Sequence, residues 1–194
     1  MNKLQVKDLY TLEAYARERA AFRARVLEHK RHRQIAVGPA TTWCFEDRMT
    51  VLYQVQEMLR AERIFEPDAI QGELDAYNPL IPDGQGWKVT LLIEFPDELE
   101  RRRQLALMKG IEDRCWVQIA GEERVFAIAD EDLERENEEK TSSVHFLRFE
   151  LTAAMVASLK AGAGLGLGID HPHYSHAVAA VPEPVRAALR ADLS

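Results

Sequence analysis

The sequence predicts an α+β fold: a single domain over residues 1–194 in which a largely antiparallel sheet, built from hairpins, is flanked by helices. Three observations support this class. Strand-like segments follow one another in pairs separated by short turns, which favours antiparallel pairing. Helix-like segments carry capping residues at their ends. The chain has 194 residues, of which 46% are hydrophobic and 29% charged, which suffices for one well-buried core.

Periodicity and capping residues place the elements in order. Residues 1–33 form a predicted N-terminal helical region, and residues 34–194 form the sheet-containing body. From Trp87 onward apolar and polar residues alternate, as in a strand with one buried face. Asp47 and Thr152 are predicted helix caps. The body's predicted helices are at about 48–64, 67–77, 97–109, 153–160 and 182–193, and its predicted strands are at 34–38, 41–46, 87–95, 114–120, 124–128, 143–151, 165–169 and 176–181.

Composition and charge exclude several classes of protein. With only Cys44 and Cys115, the chain supports neither a disulfide framework nor an iron–sulfur cluster held by this chain alone, and it indicates no other particular cofactor. No apolar run is long enough for a membrane helix, and the start lacks a secretory signal, so we expect a cytoplasmic protein with no membrane contact.

The charges are unevenly distributed along the chain. The formal net charge is −7, yet the stretch up to Arg33 is basic and residues 122–139 are strongly acidic. A basic helix can suit nucleic acid, but no aromatic residues interleave with these charges. An ordinary amphipathic helix with a solvated face is therefore favoured over nucleic-acid binding.

A first candidate site lies on the helix after Asp47. Glu57, Arg60 and Arg63 are spaced so that they share one helical face. They could brace an exposed helix by ion pairs. Alternatively, they line a cleft in which Glu57 acts as an acid, a base or a metal ligand and the arginines hold an anion. Tyr77 and Asn78, in the next loop, would join this ligand-binding pocket.

A second polar segment precedes the strand at 143–151. Lys140 and Ser142 could hold an anion there, and His145 shares a strand face with Leu147 and Phe149. His145 is therefore expected to be partly buried, where it is either simply hydrogen-bonded or tuned for catalysis. The hypothesis of a single site, with Glu57 and His145 as catalytic residues, requires the two polar segments to meet over the sheet.

The most metal-like cluster in the sequence is formed by His171, His173 and His176. Imidazoles at spacing two project to the same side of an extended chain. The alternative is that they are solvated residues of a turn around Pro172. The glycines at alternate positions from 162 to 168 do not match a dinucleotide-binding motif and are typical of a strand face that admits a bulky neighbour.

A resemblance rests on five stretches of the chain: residues 45–48, 53–60, 62–64, 73–78 and 138–146. Together they resemble a bacterial family known only as a domain of unknown function. Members of that family are often encoded beside rubrerythrin-like proteins and iron–sulfur proteins similar to heterodisulfide reductase subunits. The resemblance implies a role near redox or peroxide metabolism, and it assigns no catalytic residues.

Two hypotheses of function follow. In the first, the protein is an accessory or interaction component of a redox or peroxide-stress system. It would work beside an iron–sulfur or rubrerythrin-like partner or as a homo-oligomer, with the acidic segment and the basic helix as interaction surfaces. In the second, it is a small enzyme or a metal- or anion-binding protein that uses the pocket around Glu57, Arg60, Arg63 and His145.

Overall fold

The computed structural model describes residues 2–131, 135 and 139–194, and it confirms the α+β prediction. All strand pairs among these residues are antiparallel. The helices are α1 (Leu12–Lys30), α2 (Arg48–Ala61), α3 (Pro67–Tyr77), α4 (Glu98–Leu107), α5 (Ala153–Lys160) and α6 (Glu183–Ala191). The strands are β1 (Gln34–Ala36), β2 (Thr41–Phe45), β3 (Gly86–Ile93), β4 (Cys115–Ile119), β5 (Arg124–Phe126), β6 (Ile128–Ala129), β7 (Val144–Glu150), β8 (Leu165–His171) and β9 (Tyr174–Val178).

The strands divide between two sheets, where the sequence suggested one. The first sheet has the order β1-β2-β3-β7-β6 and the second has the order β5-β4-β8-β9. The chain changes sheet at Ala127, whose backbone N–H donates to the Cys115 carbonyl at 2.9 Å. Before this residue β5 pairs with β4, and after it β6 pairs with β7. A single predicted strand at 124–128 therefore becomes two short ones.

The main core contains side chains from both sheets. Trp43 stacks on Phe149 in the first sheet, with ring centroids 5.5 Å apart. Val117 and Leu167 of the second sheet are fully buried in the same cluster. Residues of β7 alternate between its two faces, so His145 lies on the same face as Leu147 and Phe149. His145 is expected from the sequence to be partly buried, and the structure buries its side chain completely.

Helices α1, α2 and α3 are associated with the opposite face of the first sheet. The Thr90 hydroxyl, on that face, donates to the buried Glu46 carboxylate at 2.6 Å. Thr50 and Gln54 of α2 donate to the other oxygen of Glu46 at 2.5 and 2.9 Å. Neutral donors from helix and sheet therefore surround one buried carboxylate and hold α2 against the sheet.

Helix α2 is shorter than predicted. It ends at Ala61, and Arg63 adopts a left-handed conformation with φ +56°. The Ile64 N–H turns back to the Leu59 carbonyl at 2.9 Å, which satisfies a carbonyl at the helix end. The prediction that Arg63 shares a helical face with Glu57 is therefore wrong.

Near the carboxyl end, β8 extends further than predicted, through Asp170 and His171, and the turn falls at 172–173. Helix α4 ends at Leu107, and Gly110 follows it with φ +75°, a left-handed conformation that favours glycine. The acidic composition of residues 130–139, with Leu133 as the one apolar residue in that stretch, predicts an exposed loop or a short surface helix, and Leu133 lies outside the described residues. None of the helices described has the length and apolar character needed to cross a bilayer.

Candidate functional site: a buried histidine–carboxylate cluster

Three segments meet at His145. The histidine lies in β7 and its side chain has 0% exposure, whereas Asp130 and Glu112 have side chains that are 10% and 12% exposed. Asp130 directly follows β6, and Glu112 begins a 3-10 turn, Glu112–Arg114, that leads into β4. The metal-ligating atoms of these three residues lie within 4.8 Å of one another. We call this group the His145 cluster.

The two ring nitrogens of His145 have different surroundings. Nε2 lies 3.0 Å from the Thr141 hydroxyl and 3.1 Å from the Ser142 carbonyl. Nδ1 lies 2.5 Å from Asp130 Oδ2 and 3.8 Å from Glu112 Oε2. Because a carbonyl only accepts, Nε2 carries a proton. Nδ1, by its distances to Asp130 and Glu112, is the nitrogen that faces the carboxylates.

The backbone of β7 fixes Asp130 in place. The Phe146 N–H donates to Asp130 Oδ1, and the Asp130 N–H donates to the Phe146 carbonyl, both at 2.9 Å. Arg135 Nε lies 3.3 Å from the same Oδ1. Asp130 has φ +45°, a left-handed conformation that costs a non-glycine residue about 1 kcal/mol or more. Such a conformation persists because the surrounding contacts determine it.

The charges of the cluster act on His145. Burial alone would lower the pKa of His145, but the hydrogen bond to Asp130 and the charges of Glu112 and Asp130 outweigh it and raise the pKa above its ordinary value. Nearby Cys115 is different, because burial and the charge of Glu112 raise the pKa of its thiol well above the ordinary value. Cys115 is thus a neutral thiol buried in the core.

The arrangement has the donor set of a cation site. One imidazole nitrogen and two carboxylate oxygens are ligands that suit first-row divalent cations. Two ligands on one such cation are separated by at most about 4.4 Å, because each bond measures about 2.0–2.2 Å. The His145 cluster is close to this size, and small shifts of its carboxylates would bring it to bonding distance.

Glu57 belongs to a different part of the molecule. It accepts two hydrogen bonds from Arg19 of α1, at 2.7 and 2.6 Å, and one from the Tyr15 hydroxyl at 2.6 Å. The Arg19 hydrogen bonds are the main reason that the pKa of Glu57 falls to about 2. Glu57 shares no hydrogen-bond or ion-pair partner with His145 among the described residues, so the structure does not join the two expected catalytic residues in one constellation.

Of the other residues expected around Glu57, Arg60 stays close enough for its charge to help lower the pKa of Glu57, whereas the rest lie elsewhere. Arg60 is exposed on α2, and Arg63 is exposed beyond the end of the helix. Asn78 holds the N-terminal segment, since its side chain exchanges two hydrogen bonds with the Leu4 backbone at 2.7 and 3.0 Å. Tyr77 lines a separate hollow against the first sheet. Their ligand-binding role remains a prediction.

Of the second polar segment, Ser142 lies at the His145 cluster. Its hydroxyl accepts from the Val144 N–H at 3.1 Å, and its carbonyl orients the His145 ring. Lys140 is half-buried two residues before it. Ser142 therefore contacts His145 through its backbone carbonyl. The expected binding of an anion by Lys140 and Ser142 stays a prediction.

The three histidines expected to bind metal lie on the β8–β9 hairpin. His171 Nε2 donates to the Lys109 carbonyl at 3.0 Å, and its Nδ1 accepts the His173 N–H at 3.2 Å. Both ring nitrogens of His171 are thus engaged by backbone groups. His176 instead packs against Tyr174, with ring centroids 4.6 Å apart. The metal prediction for these histidines is untested, and the His145 cluster offers the better donor geometry.

The chain is similar to a protein family and to a solved structure. Residues 3–193 match the family model described as "Protein of unknown function (DUF3501)". The chain belongs to the DUF3501 family. This confirms the resemblance to a family of unknown function, while the gene neighbourhood remains an expectation. A crystal structure of a novel protein of unknown function from Burkholderia pseudomallei K96243 is similar to this DUF3501 chain, with 52% identity, 100% of each chain covered and a TM-score of 0.94. Among curated proteins, nothing matches.

Sequence reasoning about this DUF3501 chain found His145 and missed Glu112 and Asp130. Asp130 was grouped with an acidic segment that has the composition of an exposed loop. Glu112 lies between the predicted helix at 97–109 and the predicted strand at 114–120, where no element is predicted. Asp130 is 16 residues from Phe146, which holds it, so no local pattern indicated that contact. No periodicity indicated that Glu112 would face the same histidine.

Proposed function

We propose that the protein binds a divalent first-row transition metal through His145 Nδ1, Asp130 and Glu112. The observation that carries this proposal is the orientation of the His145 ring, whose Nε2 is held by the Ser142 carbonyl while Nδ1 faces two carboxylates. Metal-ligating histidines are commonly fixed in this way by a carbonyl on the second nitrogen.

The ligands come from separate elements that the fold holds rigidly. β7 carries His145, the residue after β6 is Asp130, and Glu112 precedes β4. The β6–β7 pairing and the Phe146 hydrogen bonds fix Asp130 relative to His145. A site built on such elements is preorganised, so metal binding requires little chain ordering.

Binding exchanges a proton for the cation. Without a cation, the proton on Nδ1 lies between His145 and Asp130 and balances part of the carboxylate charge. The metal ligand is the imidazole with Nδ1 deprotonated, and the raised pKa of His145 makes that proton harder to remove. Affinity is therefore expected to rise with pH, with proton release on binding.

Isothermal titration calorimetry with MnCl₂ and ZnCl₂ tests this function. Glu112→Gln is expected to weaken binding of at least one ion by about tenfold or more, because it removes a charged ligand at nearly constant volume. His29→Gln is the matched control, since His29 Nε2 lies 2.5 Å from Asp47 but beside Arg33, not a second carboxylate. Absence of binding, or equal loss in both variants, would contradict the proposal.

We further propose that this metal-binding protein is a cytoplasmic accessory component of a redox or peroxide-stress system. The support is the family resemblance, together with the contrast between the basic N-terminal helix and the acidic segment. Both cysteines are free, and burial raises the pKa of each thiol, so an iron–sulfur partner would supply the redox centre. Self-association is the alternative use of the same complementary surfaces.

Co-purification tests the accessory role. The tagged protein should retain a rubrerythrin-like or iron–sulfur protein at low ionic strength and lose it in high salt, because charge governs the encounter. Sedimentation of the protein alone distinguishes self-association from a heterologous complex. Failure to recover a redox protein under conditions that preserve weak complexes would contradict the accessory role and leave the metal site unaffected.

A further inference from the structure

A hollow of about 270 Å³ opens between the end of α3 and the first sheet. Tyr77, Pro79 and Leu80 form one wall. Phe146 and the stem of Lys88 belong to the opposite wall, on the face of the sheet that points away from the main core. We call this cavity the Lys88 hollow.

The charged groups of the Lys88 hollow differ in how they are paired. Arg148 donates to both oxygens of Glu131, at 2.7 and 2.8 Å, and it also contacts Glu150. Lys88 is half-buried, yet its ammonium makes no hydrogen bond or ion pair with any residue that the structure describes. Asp83 and Glu131 act on it only at longer range. Among the residues that the structure describes, Lys88 is therefore a cation of the hollow without a directly bonded counter-ion.

Burial of such a cation is unfavourable unless an anion accompanies it. Burial lowers the pKa of Lys88, and the positive charge of Arg148 lowers it further. An anion in the hollow would oppose both effects, because its charge stabilises the Lys88 ammonium. The remaining wall, with Leu80, Pro79 and the Phe146 ring, favours an apolar body.

We propose that the Lys88 hollow binds a small apolar monocarboxylate, with the carboxylate at the Lys88 ammonium and the apolar body against Leu80 and Phe146. A single negative charge matches the positive charge of Lys88, which no described residue pairs directly. A phosphate dianion suits the hollow less well, because the Glu131 carboxylate also lines it and would repel the second negative charge. The volume fits a compact ligand, since pockets for drug-sized molecules begin at about 300 Å³.

This site is separate from the His145 cluster. The alternation of β7 puts Phe146 and Arg148 on one face and His145 on the other. Asp130 bonds to His145, while the next residue, Glu131, bonds to Arg148. The two sites share only Phe146, whose backbone fixes Asp130 and whose ring lines the hollow. Carboxylate binding at Lys88 therefore uses none of the proposed metal ligands, and the two proposals fail independently.

Calorimetry with 4-phenylbutyrate and with its uncharged counterpart 4-phenyl-1-butanol tests the Lys88 hollow. The acid should bind more tightly than the alcohol. Lys88→Met removes the charge and keeps the stem, so it should weaken binding of the acid by about tenfold or more and leave the alcohol unchanged. Lys160→Met, at an exposed lysine on α5, is the matched control and should change neither affinity.

A second variant tests the position of the ligand without touching the charge. Ala76 lines the hollow and is exposed, so Ala76→Trp should fold normally and fill the space, abolishing binding of both compounds. The proposal is overturned if neither compound binds the unmodified protein or if acid and alcohol bind equally. It is also overturned if binding of the acid survives Lys88→Met or Ala76→Trp unchanged.

Discussion

Replacement of Glu57 by glutamine should destabilise the protein in a pH-dependent way. In the folded protein Glu57 accepts two hydrogen bonds from Arg19 and one from Tyr15, which joins α2 to α1. These contacts lower the pKa of Glu57 from 4.5 to about 2. A carboxyl group whose pKa is lowered by folding contributes stability above its unfolded pKa, and that contribution is lost as the pH falls through the folded pKa.

The size of the effect follows from the pKa difference and from solvent exposure. At full strength the difference corresponds to about 3 kcal/mol. However, 27% of the Glu57 side chain and 34% of the Arg19 side chain are exposed, so water screens the pair. We therefore expect Glu57→Gln to lower the free energy of unfolding by about 1–2 kcal/mol at pH 7. The difference should shrink between about pH 4.5 and pH 2.

Urea denaturation of the wild type and of Glu57→Gln at several pH values measures this difference. Glu183→Gln is the control, because Glu183 also contacts two arginines but lies on the surface of α6, where we expect a much smaller effect at pH 7. If the two variants unfold alike at pH 7, or if the Glu57 difference persists undiminished at pH 2, the structural role of Glu57 is refuted. Its expected catalytic role would then regain weight.

The remaining predictions concern the network at Asp47, the charge of His145 and two glycines. Asp47→Ala should lower the free energy of unfolding, measured by urea denaturation, by about 3–5 kcal/mol, because it removes the cap of α2 and leaves the buried Arg33 with one carboxylate fewer beside it. Asp47→Asn keeps the cap and should lower the free energy of unfolding by less. His145 has a raised pKa in the folded state, so its charge stabilises the protein below about pH 6.5 and ceases to do so as the pH rises through the folded pKa. The stability difference between wild type and His145→Gln should accordingly narrow toward alkaline pH, and a constant difference would contradict the pairing with Asp130. Gly86→Ala should be strongly destabilising, since its Cβ would lie 1.9 Å from the Phe149 carbonyl oxygen, whereas Gly72→Ala, with open space on α3, should raise stability by about 0.5–1 kcal/mol in thermal unfolding.

Local signals predicted much of the fold. The alternation from Trp87 and the caps at Asp47 and Thr152 depend on neighbouring residues, so the sequence alone reveals β3, α2 and α5. The division into two sheets depends on a long-range choice at Ala127, where the chain leaves β4 and joins β7. No local pattern encodes that choice, and without such a pattern the sequence led us to expect a single sheet.

The candidate site was predictable only in part, for a related reason. His145 was found because its strand alternates and its burial follows from that pattern. Its partners Asp130 and Glu112 lie outside the strands and are placed beside His145 by the conformation of the connecting segments. Asp130 itself has a left-handed backbone conformation. The expected pairing of Glu57 with His145 failed to form because α2 lies on one face of the first sheet and His145 lies on the other. Alternation predicts which residues share a face, but it does not predict which helix covers that face.

The most direct test of the metal site is anomalous diffraction from crystals grown with Mn²⁺ or Zn²⁺, recorded on both sides of the metal absorption edge. The proposal predicts a peak bonded to His145 Nδ1, Asp130 and Glu112, with ligand distances of about 2.0–2.2 Å. A map with no peak at these residues, or with the ion at the hairpin of His171 and His173 instead, would contradict it.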